Sequence, residues 1–355
     1  MTKPVNAWLG QLQLRVDLCR RHGFTGDGKG LENQQQTLIG LNSVHSWTSR
    51  AHWVSVHLVL HFHHWRQLGN TGWGFTDVLP YFRIAESWEG GANDLRSGDG
   101  PVNVSYTLFT HPIIDAWLDA AVTVGYPRND DEVCQWWQKV GGALRYAANL
   151  TELMALTASL GAAFFKTRPE LESPDIQFHI QPFSKGSLIA DTHPFSAFTG
   201  SVCQLRPESI SELRLRSGDM RDYPKIYENY LSTRTDCDTI VEVMRIAPRI
   251  NNYEPLKSLV TSEHVPGDDV GDDYDELLDW TRSNATTIFH PAGTCEMGSD
   301  RRTVVDERLR VHGVAGLSVA DCSIMPSIVS GNTNASAIMT GEKAAAMVLE
   351  DTIYV

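Results

Sequence analysis

Many of the signals that assign a function quickly are missing from this sequence of 355 residues. Its six cysteines (Cys19, Cys134, Cys203, Cys237, Cys295 and Cys322) form no C-x-x-C pair and no zinc-ligand spacing. That argues against a zinc ribbon and leaves free thiols in a reducing compartment as the expected state. No stretch approaches about 18 consecutive apolar residues, so no membrane-spanning helix is expected. Met1 to Leu14 has no apolar run followed by a small-residue cleavage site, which argues against a signal peptide and for a cytoplasmic protein. There is no G-x-S-x-G elbow, so a serine hydrolase of that class finds no support. Basic residues are scarce. Lys and Arg number 30 against 43 Asp and Glu, a formal charge of −13, which disfavours a nucleic-acid or anionic-membrane surface. A small neutral or cationic ligand remains electrostatically tolerated.

What is present reads as an ordinary globular chain, 42% apolar and 21% charged, and long enough for more than one core. Three zones differ in character. Residues 1–64 are atypical: glutamine-rich at Gln34–Gln36, histidine-rich later, with no recognisable nucleotide fold. Within them Leu12 to Arg21 is charged and reads as helical. Residues 65–285 are clearer. Ile113, Ile114, Trp117, Leu118, Ala121 and Val124 recur at helical spacing, and Ile176, Phe178 and Ile180 alternate as in a half-buried antiparallel strand, as do Leu213 and Leu215. Ser97-Gly98-Asp99-Gly100-Pro101 reads as a turn, Gly267-Asp268-Asp269 as a solvated loop, and Asp275 to Trp280 as a helix. In residues 286–355, Leu317-Ser318-Val319-Ala320-Asp321 reads as a short buried strand. Ala337 to Glu350 reads as a helix with Ile338, Ala345 and Leu349 roughly on one face.

Two near-motifs are weighed against plainer readings. Gly23 to Gly30 (GFTGDGKG) almost spells a phosphate-binding loop, but Gly30 stands where the Mg²⁺-holding Ser or Thr belongs and no apolar strand precedes it; a flexible turn is preferred. His57, His61, His63 and His64 crowd one segment, with His57 and His61 at i, i+4. The glutamate of H-E-x-x-H is missing, so an idle, partly exposed histidine cluster is preferred and no metal site is expected.

His290-Pro291-Ala292-Gly293-Thr294-Cys295 is of another kind. Taken alone, His290 reads as a hydrogen-bonded structural histidine. It gains weight from Val304-Val305-Asp306, Arg308-Leu309-Arg310-Val311, Gly313-Val314, Gly316-Leu317, Asp321, Ser323-Ile324-Met325-Pro326 and Ser330-Gly331-Asn332-Thr333-Asn334. This ordered run closely resembles the C-terminal signature of the glucose-methanol-choline (GMC) oxidoreductases. Trp65 to Glu86, Gly100-Pro101-Val102, Pro174 to Pro182, Pro194 to Leu205 and Asp222 to Leu231 also resemble that family, so the resemblance covers roughly 65–128 and 160–350.

The resemblance implies an FAD-dependent oxidoreductase acting on the CH–OH group of a small-molecule alcohol. The carbinol hydride goes to the flavin while a base takes the hydroxyl proton. Imidazole suits that base, since its pKa lies near working pH, and His290 matches the family position. Asn332 falls at the second catalytic position, where relatives carry His or Asn, and Asn there resembles the choline-oxidising branch. An amide can orient a hydroxyl but cannot act as base. The helix after Asn334 would turn its positive end to the pyrimidine edge of the flavin. Asp321, Cys322, Asn332, Thr333 and Asn334 would contact the cofactor.

The sequence also departs from the family. No strand–G-x-G-x-x-G–helix unit is present to seat the FAD pyrophosphate, the segment expected just before Trp65 is unrecognisable, and the middle region is largely missing near 129–159. Most FAD affinity comes from such contacts, so FAD retention is expected to be weak. Strand edges and apolar faces would also lie uncovered. The expected architecture is mixed α/β: a partial FAD-binding Rossmann-like domain plus a substrate domain with an antiparallel sheet, in an apparently truncated family member. The rival expectations are a catalytically silent remnant that does not hold FAD and a histidine-cluster metalloprotein.

Overall fold

Strict alternation of apolar residues builds the central layer, because successive side chains of a strand point to opposite faces. In the computed structural model, residues 5–7, 12–20, 56–104, 111–126, 161–184, 192–219, 221–267 and 270–353 are described. The glutamine-rich stretch, the Gly23–Gly30 turn, segment 129–159 and Asp268-Asp269 lie outside them.

The strands and helices follow in chain order. Strand β1 is Val5–Ala7 and β2 Leu12–Arg20; helix α1 is Val56–Gln67 and α2 Phe75–Ala85; β3 is Glu86–Trp88 and β4 Val102–Val104. Helix α3 is Pro112–Val124, followed by β5 Gly161–Phe165, β6 Ile176–Gln181, β7 Ala197–Gln204, β8 Ser211–Arg214 and β9 Lys225–Tyr227. Then come α4 Arg234–Asn251, β10 Val260–Val265, α5 Tyr274–Asn284, β11 Thr286–Thr287 and α6 Asn334–Ile353. A six-stranded antiparallel sheet runs in the order β10-β2-β7-β6-β5, with β11 also paired to β2. A second sheet has the order β1-β8-β9, and β3 pairs with β4 in parallel. The architecture is therefore mixed α/β with antiparallel sheets.

Four expectations need correcting. Leu12–Arg20 is not helical: it is a strand inside the large sheet, Leu14 opposite Val202 and Val16 opposite Gly200. Leu12, Leu14, Val16 and Leu18 alternate with Gln, Arg and Asp, a period of two that the interleaved charges disguised. Leu317–Asp321 is not a buried strand. Only an isolated bridge between Arg310 and Ser318 forms there, and Leu317 is exposed. Helix α6 buries Ser336, Met339, Thr340 and Lys343, while Ala345 and Leu349 face solvent. Lys343 is buried despite its charge; its ammonium lies over the rings of Trp73 (5.2 Å) and Tyr81 (4.9 Å), which is how a buried lysine is accommodated. Leu215, expected in a strand with Leu213, lies just beyond β8 and is exposed.

Among the described residues, buried apolar side chains gather in two clusters. The first joins one face of the large sheet (Ile176, Phe178, Ile180, Phe198, Val202) to α3, α4 and α5 through Ile113, Trp117, Ile240 and Leu278. Helix α3 is well delimited, with Pro112 at its start, the His111 ring accepting from the Ile113 N–H and Gly125 at φ 109° closing it. The second cluster is built from α1, α2 and the loops after α5, through Phe62, Trp65, Trp73, Phe82, Met297, Leu309 and Met325. The other face of β6 and β7 carries Gln177, His179 and Ser201.

Candidate active site

The segment that delivers His290 is anchored at both ends. Upstream, Thr286 and Thr287 pair with Gln13 and Leu12 of β2. Phe289 then adopts φ 61°, a left-handed conformation that is rare for an aromatic residue, and leaves its ring largely exposed beside His290. Downstream, Gly293, Cys295 and Met297 donate to the carbonyls of Cys322, Ser323 and Ile324 at 3.3, 2.8 and 2.9 Å. Loop 290–297 therefore lies along the 3₁₀ turn Cys322–Ile324.

His290 meets two of the residues expected to accompany it. Its Nε2 lies 3.3 Å from Asn332 Nδ2, and its Nδ1 lies 2.9 Å from Thr333 Oγ1. The Asn332 carbonyl oxygen accepts from the Asn334 N–H at 2.9 Å, which turns the amide NH₂ toward the ring. An NH₂ group only donates, so Nε2 carries the lone pair and the neutral ring holds its proton on Nδ1, donating to Thr333 Oγ1. Thr333 is buried, and its carbonyl accepts from Ala337 N at 2.9 Å, opening α6.

The remaining expected site residues take other positions. Asn334 begins α6 and is exposed. Asp321 is exposed, and its carboxylate accepts from Ser323 N at 2.7 Å, capping its own turn. Cys322 lies nearer, its thiol 3.8 Å from the Thr333 carbonyl and with its pKa raised by burial. His61 is buried in α1 with Nε2 2.6 Å from Ser330 Oγ, so it is not an idle surface residue; His63 and His64 are exposed. Among the described residues, no group of three or more His, Cys, Asp or Glu is arranged to hold a metal.

Sequence reasoning missed His179. It sits on β6 opposite Ser201, with its Nε2 3.9 Å from Cys203 Sγ and close enough to His290 for the two rings to interact electrostatically. The alternation that exposed the apolar phase of β6 held the signal, because Gln177, His179 and Gln181 form the opposite, polar phase of a strand with both faces covered. Burial pushes the pKa of His290 from the ordinary 6.5 down to about 4. His179 also falls to about 4, from burial first and the neighbouring His290 second. Both rings are thus uncharged across the neutral range, lower than the near-neutral pKa expected of His290. The Cys203 thiol is pushed up to about 12 by burial and is not a thiolate nucleophile.

Chemically, a lone pair beside an amide NH₂ is a pair of groups that can bind a hydroxyl. One inserted between Nε2 and the amide would donate to the ring lone pair and accept from Asn332. The α6 N-terminus beside it has no acidic residue in its first turn and so presents positive dipole to any anion.

Residues 207–341 match the family model described as GMC oxidoreductase. An oxygen-dependent choline dehydrogenase from Cronobacter sakazakii is 37% identical over 214 residues, 59% of this chain and 38% of that protein. One from Escherichia coli is 36% identical over 217 residues, 60% of this chain and 38% of its own length. The chain thus spans 38% of the length of these curated relatives. The fold is shared with pyridoxine 4-oxidase from Mesorbium loti, at TM-score 0.68 and 18% identity, covering 82% of this chain and 81% of that one. It is also shared with a formate oxidase, at TM-score 0.71 and 16% identity, covering 84% and 82%. Over the matched residues the chain is similar to GMC oxidoreductases, choline dehydrogenases among them. Among the described residues, no helix is long and apolar enough to cross a membrane.

Proposed function

We propose that this chain carries the proton-handling part of an FAD-dependent oxidoreductase that converts an alcohol to an aldehyde or ketone. The observation that carries the reading is the His290–Asn332–Thr333 cluster, in which one imidazole nitrogen has an oriented lone pair and the other is locked by a hydroxyl.

The residues present fit the reactive end of a flavin. An uncharged imidazole, an amide, a buried threonine and a helix N-terminus without acids are compatible with a ring that gains negative charge on reduction. Asn332, Thr333 and the first turn of α6 would hold the ring edge, with Asp321 and Cys322 beside it. FAD, when bound, supplies the hydride acceptor. His290 Nε2 takes the hydroxyl proton, and the resulting imidazolium keeps its Nδ1–H on Thr333 Oγ1. Asn332 donates to the substrate oxygen and fixes the carbinol's orientation. His179, held uncharged, forms the sheet-side wall of the same pocket. Two neutral imidazoles and a net charge of −13 accommodate a cationic alcohol such as choline, the alcohol named for the relatives.

A second reading, that the chain does not retain FAD by itself, is favoured by the absence of G-x-G-x-x-G from the sequence. The two readings separate on purification. A yellow protein, or one that turns yellow with added FAD and bleaches with choline or a primary alcohol under anaerobic conditions, supports the oxidoreductase. A protein that stays colourless with excess FAD supports the second reading.

A further inference from the structure

The histidine-rich segment left one contact that this chemistry does not use. We infer that His61 and Arg206 are positioning residues: together they clamp the Ser330 hydroxyl and so set the Asn332 amide against the His290 ring. Ser330 is almost fully buried, with Oγ 2.6 Å from His61 Nε2 and 3.3 Å from Arg206 Nε. Arg206 can only donate, so the serine oxygen accepts from it and keeps its own proton available for His61. The two clamping groups come from different bodies. His61 lies in α1, within the second apolar cluster, whereas Arg206 follows β7 of the large sheet. Ser330 is therefore tied to both sides of the pocket.

The need for a clamp follows from the next residue. Gly331 sits at φ 146°, a conformation that L side chains rarely adopt, and nothing lies within 4 Å of where its Cβ would be. A glycine with open space around it does not resist rotation, so it cannot transmit a fixed orientation unless the residue before it is held. Asn332 follows directly, and its amide must meet a lone pair 3.3 Å away while its oxygen accepts from Asn334 N. Trp65 reinforces the same loop from the same helix, its indole N–H 3.1 Å from both the carbonyl and the hydroxyl of Ser327. One face of α1 is thus a brace for residues 327–332.

The consequence for turnover rests on the oxidoreductase reading; the positioning itself does not, and the test separates them. The full chain is labelled with ¹⁵N in its histidine rings, and His290 is assigned from His290→Gln. In the unmodified protein, the His290 nitrogens should show a single tautomer protonated on Nδ1. In Ser330→Ala and His61→Phe that pattern should be lost to a tautomer average, whereas His61→Gln, whose amide oxygen keeps an acceptor near the Nε2 position, should retain it. A single-tautomer pattern that survives Ser330→Ala overturns the inference even if His61→Phe fails to fold, because Ser330→Ala removes only one oxygen. In flavin-loaded protein, Ser330→Ala should lower kcat on the order of tenfold with KM little changed, as expected when a reacting group is displaced rather than removed. An unchanged kcat would also overturn it. If the unmodified protein shows the tautomer but no flavin-dependent turnover, the oxidoreductase reading fails while the clamp stands.

Discussion

The large sheet and the C-terminal loop segment solve opposite problems. In the sheet, strands β5, β6 and β7 bury alternating apolar side chains against α3 and α4, and stability comes from area removed from water. From His290 to Thr333 there is almost no regular structure, and the chain is held by turns, Asx caps and cross-loop hydrogen bonds such as Cys295 N to the Ser323 carbonyl. The first region tolerates changes that conserve volume. The second keeps polar groups at fixed distances, which apolar packing alone does not specify. A site that needs one lone pair in one direction is accordingly built from loops and mounted on a sheet.

Substitutions can break this contrast. The largest effect is expected in the sheet core: Trp117→Ala, which removes a ring stacked 6.0 Å from Phe165 and tilted against Phe178 at 5.2 Å, should cost about 3–5 kcal/mol by chemical denaturation. His290→Ala should do the reverse, leaving the denaturation midpoint nearly unchanged while alcohol-driven flavin reduction falls about 10²–10⁴-fold in stopped flow. Asp236 tests where polar bonding supports the sheet. It is buried at 1% exposure and accepts from Gln204 Nε2 (2.7 Å), Glu208 N (2.9 Å) and Ser209 N (2.8 Å), tying the end of β7 to the start of α4. Asp236→Ala should destabilise by about 3 kcal/mol, because buried donors lose their partner.

Acidification should act on the pocket face. His290 and His179 have folded-state pKa values of about 4, below the ordinary 6.5. The unfolded chain therefore binds more protons between those limits. Stability contributed by the two neutral rings is complete above pH 6.5 and is lost as pH falls toward 4, on the order of 3 kcal/mol per ring. Denaturation midpoints measured across that window check it, and His179→Gln should flatten the slope. The smallest effect belongs to Asn332→Ala, about tenfold in flavin reduction, since positioning is more readily replaced than proton transfer.

Legibility in the sequence followed the same divide. Helix α3 and the Ile176–Phe178–Ile180 strand phase were readable because burial imposes a period. The period of β2 was just as regular, yet Arg15 and Asp17 within it suggested a charged helix. In the loop segment, the dense Gly, Asp and Asn pattern carried a family resemblance that periodicity could not supply, and with it the proximity of His290, Asn332 and Thr333. Leu317 to Ala320 misled because a short apolar run looks the same whether or not a partner strand covers it. His179 was not identified and His61 read as one of an idle cluster, since the importance of each depends on which distant loop reaches it: His290 for the first, Ser330 for the second.

The central claim is that the uncharged imidazole at position 290 takes the proton of a bound alcohol. Anaerobic single-turnover reduction of FAD-reconstituted protein, with and without His290→Ala, tests it most directly. The account predicts bleaching on alcohol addition that slows at least 100-fold in the variant while the oxidised flavin spectrum stays the same. Equal bleaching rates in the two proteins, or no bleaching of flavin that is demonstrably bound, would contradict it.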